Sequence, residues 1–284
     1  MEKYTLKLDG VTKQYRDFKL DNISFSVPQG SIVGLIGENG AGKSTTINAI
    51  LGLIVTEKGK ISIFNGKDIN AETKEQIGVV FDGSNYPETL TPKKLGKVFQ
   101  NIYAEWNNEK YFELLNKFEL PIRKKLKEFS KGMKTKYSIA VALSHNSKLL
   151  ILDEATSGLD PIIRDDILDM FLDFIQDEEH SILISSHITS DLEKIADYIV
   201  FIHEGKVLFS KPKDVLLEHF GILKCNATQF NELNDEDIIS CRKLDYEYQV
   251  LVSDRRQAEQ KYPKTIIVPA SIDEIMLMYV KGEK

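Results

Sequence analysis

The chain opens in alternation. In YTLKL (4–8), NISFSV (22–27) and SIVGLIG (31–37), residues of one face recur at every second position, the period of a strand that buries one side. These three runs predict an antiparallel β layer. From Thr45 the spacing becomes helical, and the apolar runs IGVVF (77–81), LLILDE (149–154) and SILISSH (181–187) then alternate with amphipathic stretches such as PIIRDDILDMFLDFIQDE (161–178). Strand and helix in alternation predict parallel β-α units. Residues 93 to 145 are mostly helical in pattern, a separate helical lobe between two strands, and YIVFIHEGKVLF (198–209) reads as a hairpin turning at Gly205.

Past Gly221 the pattern resets. ILKC, a TQFNEL helix, IISCRKL, the alternating strand YEYQVLV, the helix DRRQAEQKY and TIIVP give a β-α-β-β-α-β order, the split βαβ arrangement of ferredoxin-like domains. A last helix follows, opened by the capping-box pair Ser271 and Glu274. The expected organisation is an α/β domain over residues 1–220 and a small α+β domain over 221–284.

Composition narrows the function without naming it. With 284 residues, 42% hydrophobic and 28% charged, the chain can bury one large core and a small one, or two cores of middling size. A formal charge of -6 argues against wrapping nucleic acid, and no nucleic-acid partner is expected. Cys225 and Cys241 form no C-x-x-C pair, which fits a reducing cytosol. No apolar run approaches the roughly 18 residues of a spanning helix, and the N-terminus lacks a signal-peptide core, so any membrane role is expected to pass through a partner.

Three stretches carry chemistry. Gly37-Glu38-Asn39-Gly40-Ala41-Gly42-Lys43-Ser44 matches G-x-x-x-x-G-K-[ST], after a strand and at the head of a helix. In such a loop, backbone N–H groups and the helix N-terminus close on phosphate oxygens, the lysine reaches the terminal phosphates, and the serine ligates Mg²⁺. Thr45 belongs to the same binding set. LLILDE is a buried strand ending in two carboxylates, Asp153 to hold Mg²⁺ and Glu154 to polarise an attacking water. His187 ends SILISSH; a lone histidine there is more often structural, and only its context argues otherwise. The basic stretch FSKGMKTK (129–136) would by itself be the solvated start of a helix.

Taken in order, the phosphate loop, FSKGM, LLILDEATSGLDP and the strand ending in His187 resemble the ATP-binding subunits of ABC transporters, over residues 1 to about 220. FSKGM is similar to that family's LSGGQ signature. The resemblance implies an ATPase using ATP and Mg²⁺, with two subunits, identical or related, sandwiching two nucleotides. Ser130 and Gly132 would then meet the γ-phosphate bound by the opposite phosphate loop. It also implies that Tyr15 stacks on adenine, with Phe18 nearby as another aromatic, that Asp160 ties the two sites together, and that His187 contacts the γ-phosphate. A polytopic membrane permease would be the partner, with the ATPase lying on the cytoplasmic face of the cell membrane.

Two stretches depart from the family pattern, at three positions. Lys131 and Met133 stand where the signature usually has glycine and glutamine, and Asp82 stands after IGVVF where a glutamine is usual. A carboxylate is a hard oxygen ligand, so Asp82 joins Ser44 and Asp153 as a candidate for Mg²⁺. The SKGM form and the FD pair look similar to bacterial exporters, including those for peptides and antimicrobial compounds. A soluble ATPase clamp and a hydrolysis-deficient ATP switch are the alternative readings. The first normally brings a long heptad insertion or two ATPase halves, neither of which occurs here.

Overall fold

The computed structural model describes residues 3–82 and 85–283. Strands β1 (Tyr4–Gln14) and β2 (Lys19–Pro28) pair antiparallel, and β1 pairs on its other side with a later strand, Lys58–Ile63. SIVGLIG does not join this layer. Its strand β3 (Ile32–Ile36) is buried at all five positions and lies inside a six-stranded sheet. A strand covered on both faces is apolar throughout, and here the start of such a run passes for alternation. The vacant position in the layer is filled by Lys58–Ile63, now β4, which follows helix α1 (Lys43–Ile50).

The six-stranded sheet gathers its strands from across the chain. After the one-turn helix α2 (Ala71–Lys74) come β5 (Ile77–Val80), then β6 (Leu149–Asp153), β7 (Ser181–Ser186), β8 (Tyr198–His203) and β9 (Lys206–Pro212), in the order β5-β6-β7-β3-β8-β9. Parallel registers pair Val80 with Leu152, Asp153 with Ser185, and Ile36 with Ser186. Four C-terminal strand ends therefore line up, the edge at which open α/β sheets bind ligands. Gly37, Asp82, Glu154 and His187 all leave the sheet there.

The stretch between β5 and β6 forms the helical lobe: α3 (Pro92–Ile102), α4 (Asn108–Lys117) and α5 (Lys131–Leu143). Thr91, Asn107 and Ser130 cap them, each accepting a hydrogen bond from a first-turn N–H, and Pro92 sits where its missing N–H costs nothing. Tyr111 and Tyr137 are fully buried in this lobe, with the Tyr111 hydroxyl donating to the Pro92 carbonyl at 2.9 Å. Burial pushes both phenols well above the usual tyrosine range. Helices α6 (Pro161–Phe174) and α7 (Thr189–Ile195) follow β6 and β7.

Contacts divide the chain into one unit of residues 1–196 with 202–207 and a second of 197–201 with 208–284. The division thus falls within the β8–β9 ribbon, earlier than the reset of pattern at Gly221. The second unit contains α8 (Lys213–His219), β10 (Gly221–Cys225), α9 (Ala227–Phe230), β11 (Ser240–Lys243), β12 (Tyr248–Val252), α10 (Arg255–Lys261), β13 (Ile266–Pro269) and α11 (Ile272–Lys281). Its sheet runs β11-β12-β10-β13 with every neighbour antiparallel, the split βαβ order, around a core that includes Leu223 and Val250. The TQFNEL helix is shorter than its pattern suggests, ending at Phe230. Ser271 and Glu274 form the reciprocal capping box at the head of α11.

Candidate nucleotide-binding site

The phosphate loop leaves β3 at Gly37 and enters α1 at Lys43. Gly42 caps that helix at φ +113°, and a β-carbon there would meet Leu20 Cδ2 at 2.8 Å and Phe18 Cζ at 2.9 Å, so only glycine fits. At Gly37 a β-carbon would fall 2.2 Å from the Ile202 carbonyl oxygen. The loop is thereby pressed against β8, and the Ala41 carbonyl accepts from the Gly205 N–H at 2.9 Å. Ser44 is exposed at the first turn of α1, beside half-buried Thr45.

A cavity of about 580 Å³ opens over this loop, lined by Asn39, Gly40, Gly42, Lys43, Ser44 and Thr45, and walled by Phe18, Asp82, Glu154, Ser157 and His187. Lys43 is 5% exposed, and its ammonium donates to the Gly37 carbonyl at 2.8 Å and the Glu38 carbonyl at 3.2 Å. The same nitrogen lies 3.4 Å from Glu154 Oε1, while Glu154 Oε2 accepts from His187 Nδ1 at 2.5 Å. One carboxylate thus stands between a buried cation and an imidazole. Glu154 adopts φ +53°, a left-handed conformation that costs a non-glycine residue energy and turns its side chain out of the strand line.

Ser185, which the motifs did not single out, fixes both acidic residues. Its hydroxyl donates to Asp153 Oδ1 at 2.6 Å and accepts from the Glu154 N–H at 3.1 Å. Asp153 is buried at 8% exposure. The only sequence signal for this role is a serine near the end of the buried strand SILISS, one of three serines in it.

Other candidates lie outside the cavity wall. Tyr15 is 41% exposed, with its ring 6.4 Å from that of Phe18; Phe18, and not Tyr15, lines the cavity. Ser130 and Asp160 serve in this chain as helix caps, accepting from Met133 N–H at 3.2 Å and Ile163 N–H at 3.1 Å. Gly132 follows in the first turn of α5.

The donor set suits Mg²⁺. Among the described residues, no three His, Cys, Asp or Glu side chains cluster to enclose a metal. Mg²⁺ typically takes one or two carboxylates, waters and substrate phosphates, which the Ser44 hydroxyl and the Asp82 carboxylate in the cavity wall fit; Asp153, buried at the end of β6, is not among the lining residues.

A phosphate loop on β3, a histidine at the end of its neighbour β7, and Asp-Glu at the end of β6 on the far side of β7 define a nucleoside triphosphatase of the phosphate-loop class. The ABC transporter family model matches residues 20–157. The lantibiotic transport ATP-binding protein SrtF of Streptococcus pyogenes is 36% identical over 212 residues, 74% of this chain and 91% of that protein. The bacitracin transport ATP-binding protein BcrA of Bacillus licheniformis is 37% identical over 217 residues, 74% of this chain and 71% of that protein. A solved structure of an ATP-binding subunit of an ABC transporter is 29% identical, with a TM-score of 0.67, covering 75% of this chain and 91% of that one. The chain belongs to the ABC transporter family as an ATP-binding ATPase subunit. No described helix is long and apolar enough to cross a membrane.

Proposed function

We propose that this subunit binds and hydrolyses ATP with Mg²⁺ in the cavity over the phosphate loop and, by ATP-driven dimer closure, powers export of peptide-like or antimicrobial compounds. The observation that carries the hydrolytic reading is Glu154, poised between Lys43 and His187. Lys43 binds the terminal phosphates, exchanging loop carbonyls for phosphate oxygens. Glu154 accepts a proton from the attacking water, and His187 holds that carboxylate in place and contacts the γ-phosphate. Ser44, Asp153 and Asp82 hold Mg²⁺, which when bound neutralises charge on the phosphates. Adenine stacks against the aromatic edge formed by Phe18 and Tyr15.

Ser130 and Gly132 begin α5 and are absent from the wall of their own chain's cavity. This supports a role on the nucleotide of a facing copy, or of a related subunit, with Asp160 bridging the two sites. Two-fold symmetry then gives two composite sites from one sequence. The partner is a polytopic membrane permease, and the subunit works on the cytoplasmic face of the membrane. The antimicrobial cargo is supported by the names of SrtF and BcrA.

Mixing two inactive variants tests the composite site. Ser130→Arg and Lys43→Ala place both lesions in one site of a heterodimer and leave the other intact. Recovery of hydrolysis on mixing is expected; silent heterodimers, beside an active single-site control, would remove the reading. Co-purification of a permease from detergent-solubilised membranes tests the partner.

A further inference from the structure

The lysines of FSKGMKTK are engaged within the molecule. Lys131 Nζ lies 2.8 Å from Asp82 Oδ1, Lys134 Nζ lies 2.5 Å from Glu88 Oε1, and Lys136 stands over the Phe118 ring at 5.9 Å. Lys131 and Lys134 are one turn apart on α5, so their ammonium groups form two rungs, one to Asp82 and one to Glu88. Backbone bonds add to the connection: Leu126 N–H donates to the Leu90 carbonyl and Lys127 N–H to the Glu88 carbonyl, both at 3.0 Å. The stem of Lys131 runs along Gly158, where an added β-carbon would sit 3.5 Å from Nζ and 3.8 Å from Cδ and Cε.

Lys131 and Asp82 occupy two of the positions at which the sequence departs from the family pattern. The two departures are each other's partners. A lone exposed ion pair stabilises a fold very little, so its effect lies in where it puts the carboxylate. Asp82 lines the nucleotide cavity, and Lys131 holds it by one oxygen.

We propose that Lys131 is a positioning residue that anchors the Asp82 carboxylate at the cavity wall and presents its second oxygen to the Mg²⁺ accompanying the nucleotide. Lys131 also begins α5, between Ser130 and Gly132. The ion pair therefore links the carboxylate at a subunit's own nucleotide to the helix start facing the other nucleotide. That consequence rests on the reading that Ser130 acts across a dimer; the anchoring does not.

The test is Mg²⁺ titration of the binding of a fluorescent ATP analogue to the full chain, in low salt and cold enough to suppress turnover. Lys131→Met is expected to raise the Mg²⁺ midpoint about two- to fivefold, the range a partly exposed ion pair supplies. Lys131→Arg, which keeps the charge, should restore the wild-type midpoint. In an Asp82→Asn background, Lys131→Met should add nothing. A fall in the midpoint would mean that the lysine merely repels the cation, and an unchanged midpoint, or an equal shift in both backgrounds, would mean that it does not act through Asp82. Any of these overturns the proposal. Silent Ser130→Arg and Lys43→Ala heterodimers would remove the composite-site reading and leave these shifts standing.

Discussion

Glu154 Oε2 and His187 Nδ1 lie 2.5 Å apart, at the ends of β6 and β7. Adjacent parallel strands ending in register bring together two residues 33 positions apart in the chain. The imidazole donates to one carboxylate oxygen while the other faces Lys43, so the carboxylate is held from both sides.

Replacing the carboxylate by an amide preserves shape and removes the base. Glu154→Gln is therefore expected to lower the rate constant for hydrolysis at least about 100-fold while nucleotide affinity changes only a few-fold. Phosphate release and equilibrium binding measured on the same preparation check this, and near-normal turnover would take Glu154 out of its assigned role.

Ser185 sets the geometry without touching substrate. Ser185→Ala leaves the Asp153 carboxylate without its 2.6 Å donor and the Glu154 N–H without that hydroxyl. We expect kcat to fall about tenfold, with a stability loss of about 1–3 kcal/mol for the buried polar groups left behind. Ser185→Thr, which keeps the hydroxyl, serves as the comparison in kinetics and denaturant unfolding.

Acid should weaken the helical lobe through His145. This ring is buried, stacks on Tyr103 at 4.2 Å, and donates from Nδ1 to the Glu75 carbonyl at 3.0 Å. Burial holds its pKa down, to about 4 from an ordinary 6.5. The unfolded chain takes up the proton first, so the stability contributed by the neutral ring is complete above pH 6.5 and is lost as pH falls towards 4. The linked loss is roughly 3 kcal/mol across that window. Unfolding curves from pH 7 to 4 should show wild type losing more stability than His145→Phe; parallel curves would contradict this.

Residues beyond Phe220 are proposed to be dispensable for nucleotide binding. β10 to β13 form a sheet of their own, and every residue in the cavity wall precedes Gly205. A chain ending at Phe220 should bind ATP within about threefold of wild type, a difference under 1 kcal/mol. Calorimetry decides it, and general unfolding of the truncated chain would show the tail to be part of the main core.

The chemistry proposed for the site was legible in the sequence alone. Short contiguous motifs with fixed local geometry carry it: a glycine loop entering a helix, a buried strand ending in Asp-Glu, a capped helix after FSKGM. Each needs only neighbouring residues to be recognised, as does the capping box of Ser271 and Glu274. Three things were settled only by tertiary structure. Ile32–Ile36 joined the parallel sheet because burial on both faces, invisible in a five-residue run, overrides apparent alternation. Phe18 became the cavity wall because Gly42 lets the loop approach it, a contact between residues 24 positions apart. Lys131 found Asp82, 49 positions away, because the helical lobe folds back over the strand end. A charge in a sequence says that it needs a partner or water; only the packed chain brings the two within the few ångströms at which the attraction acts.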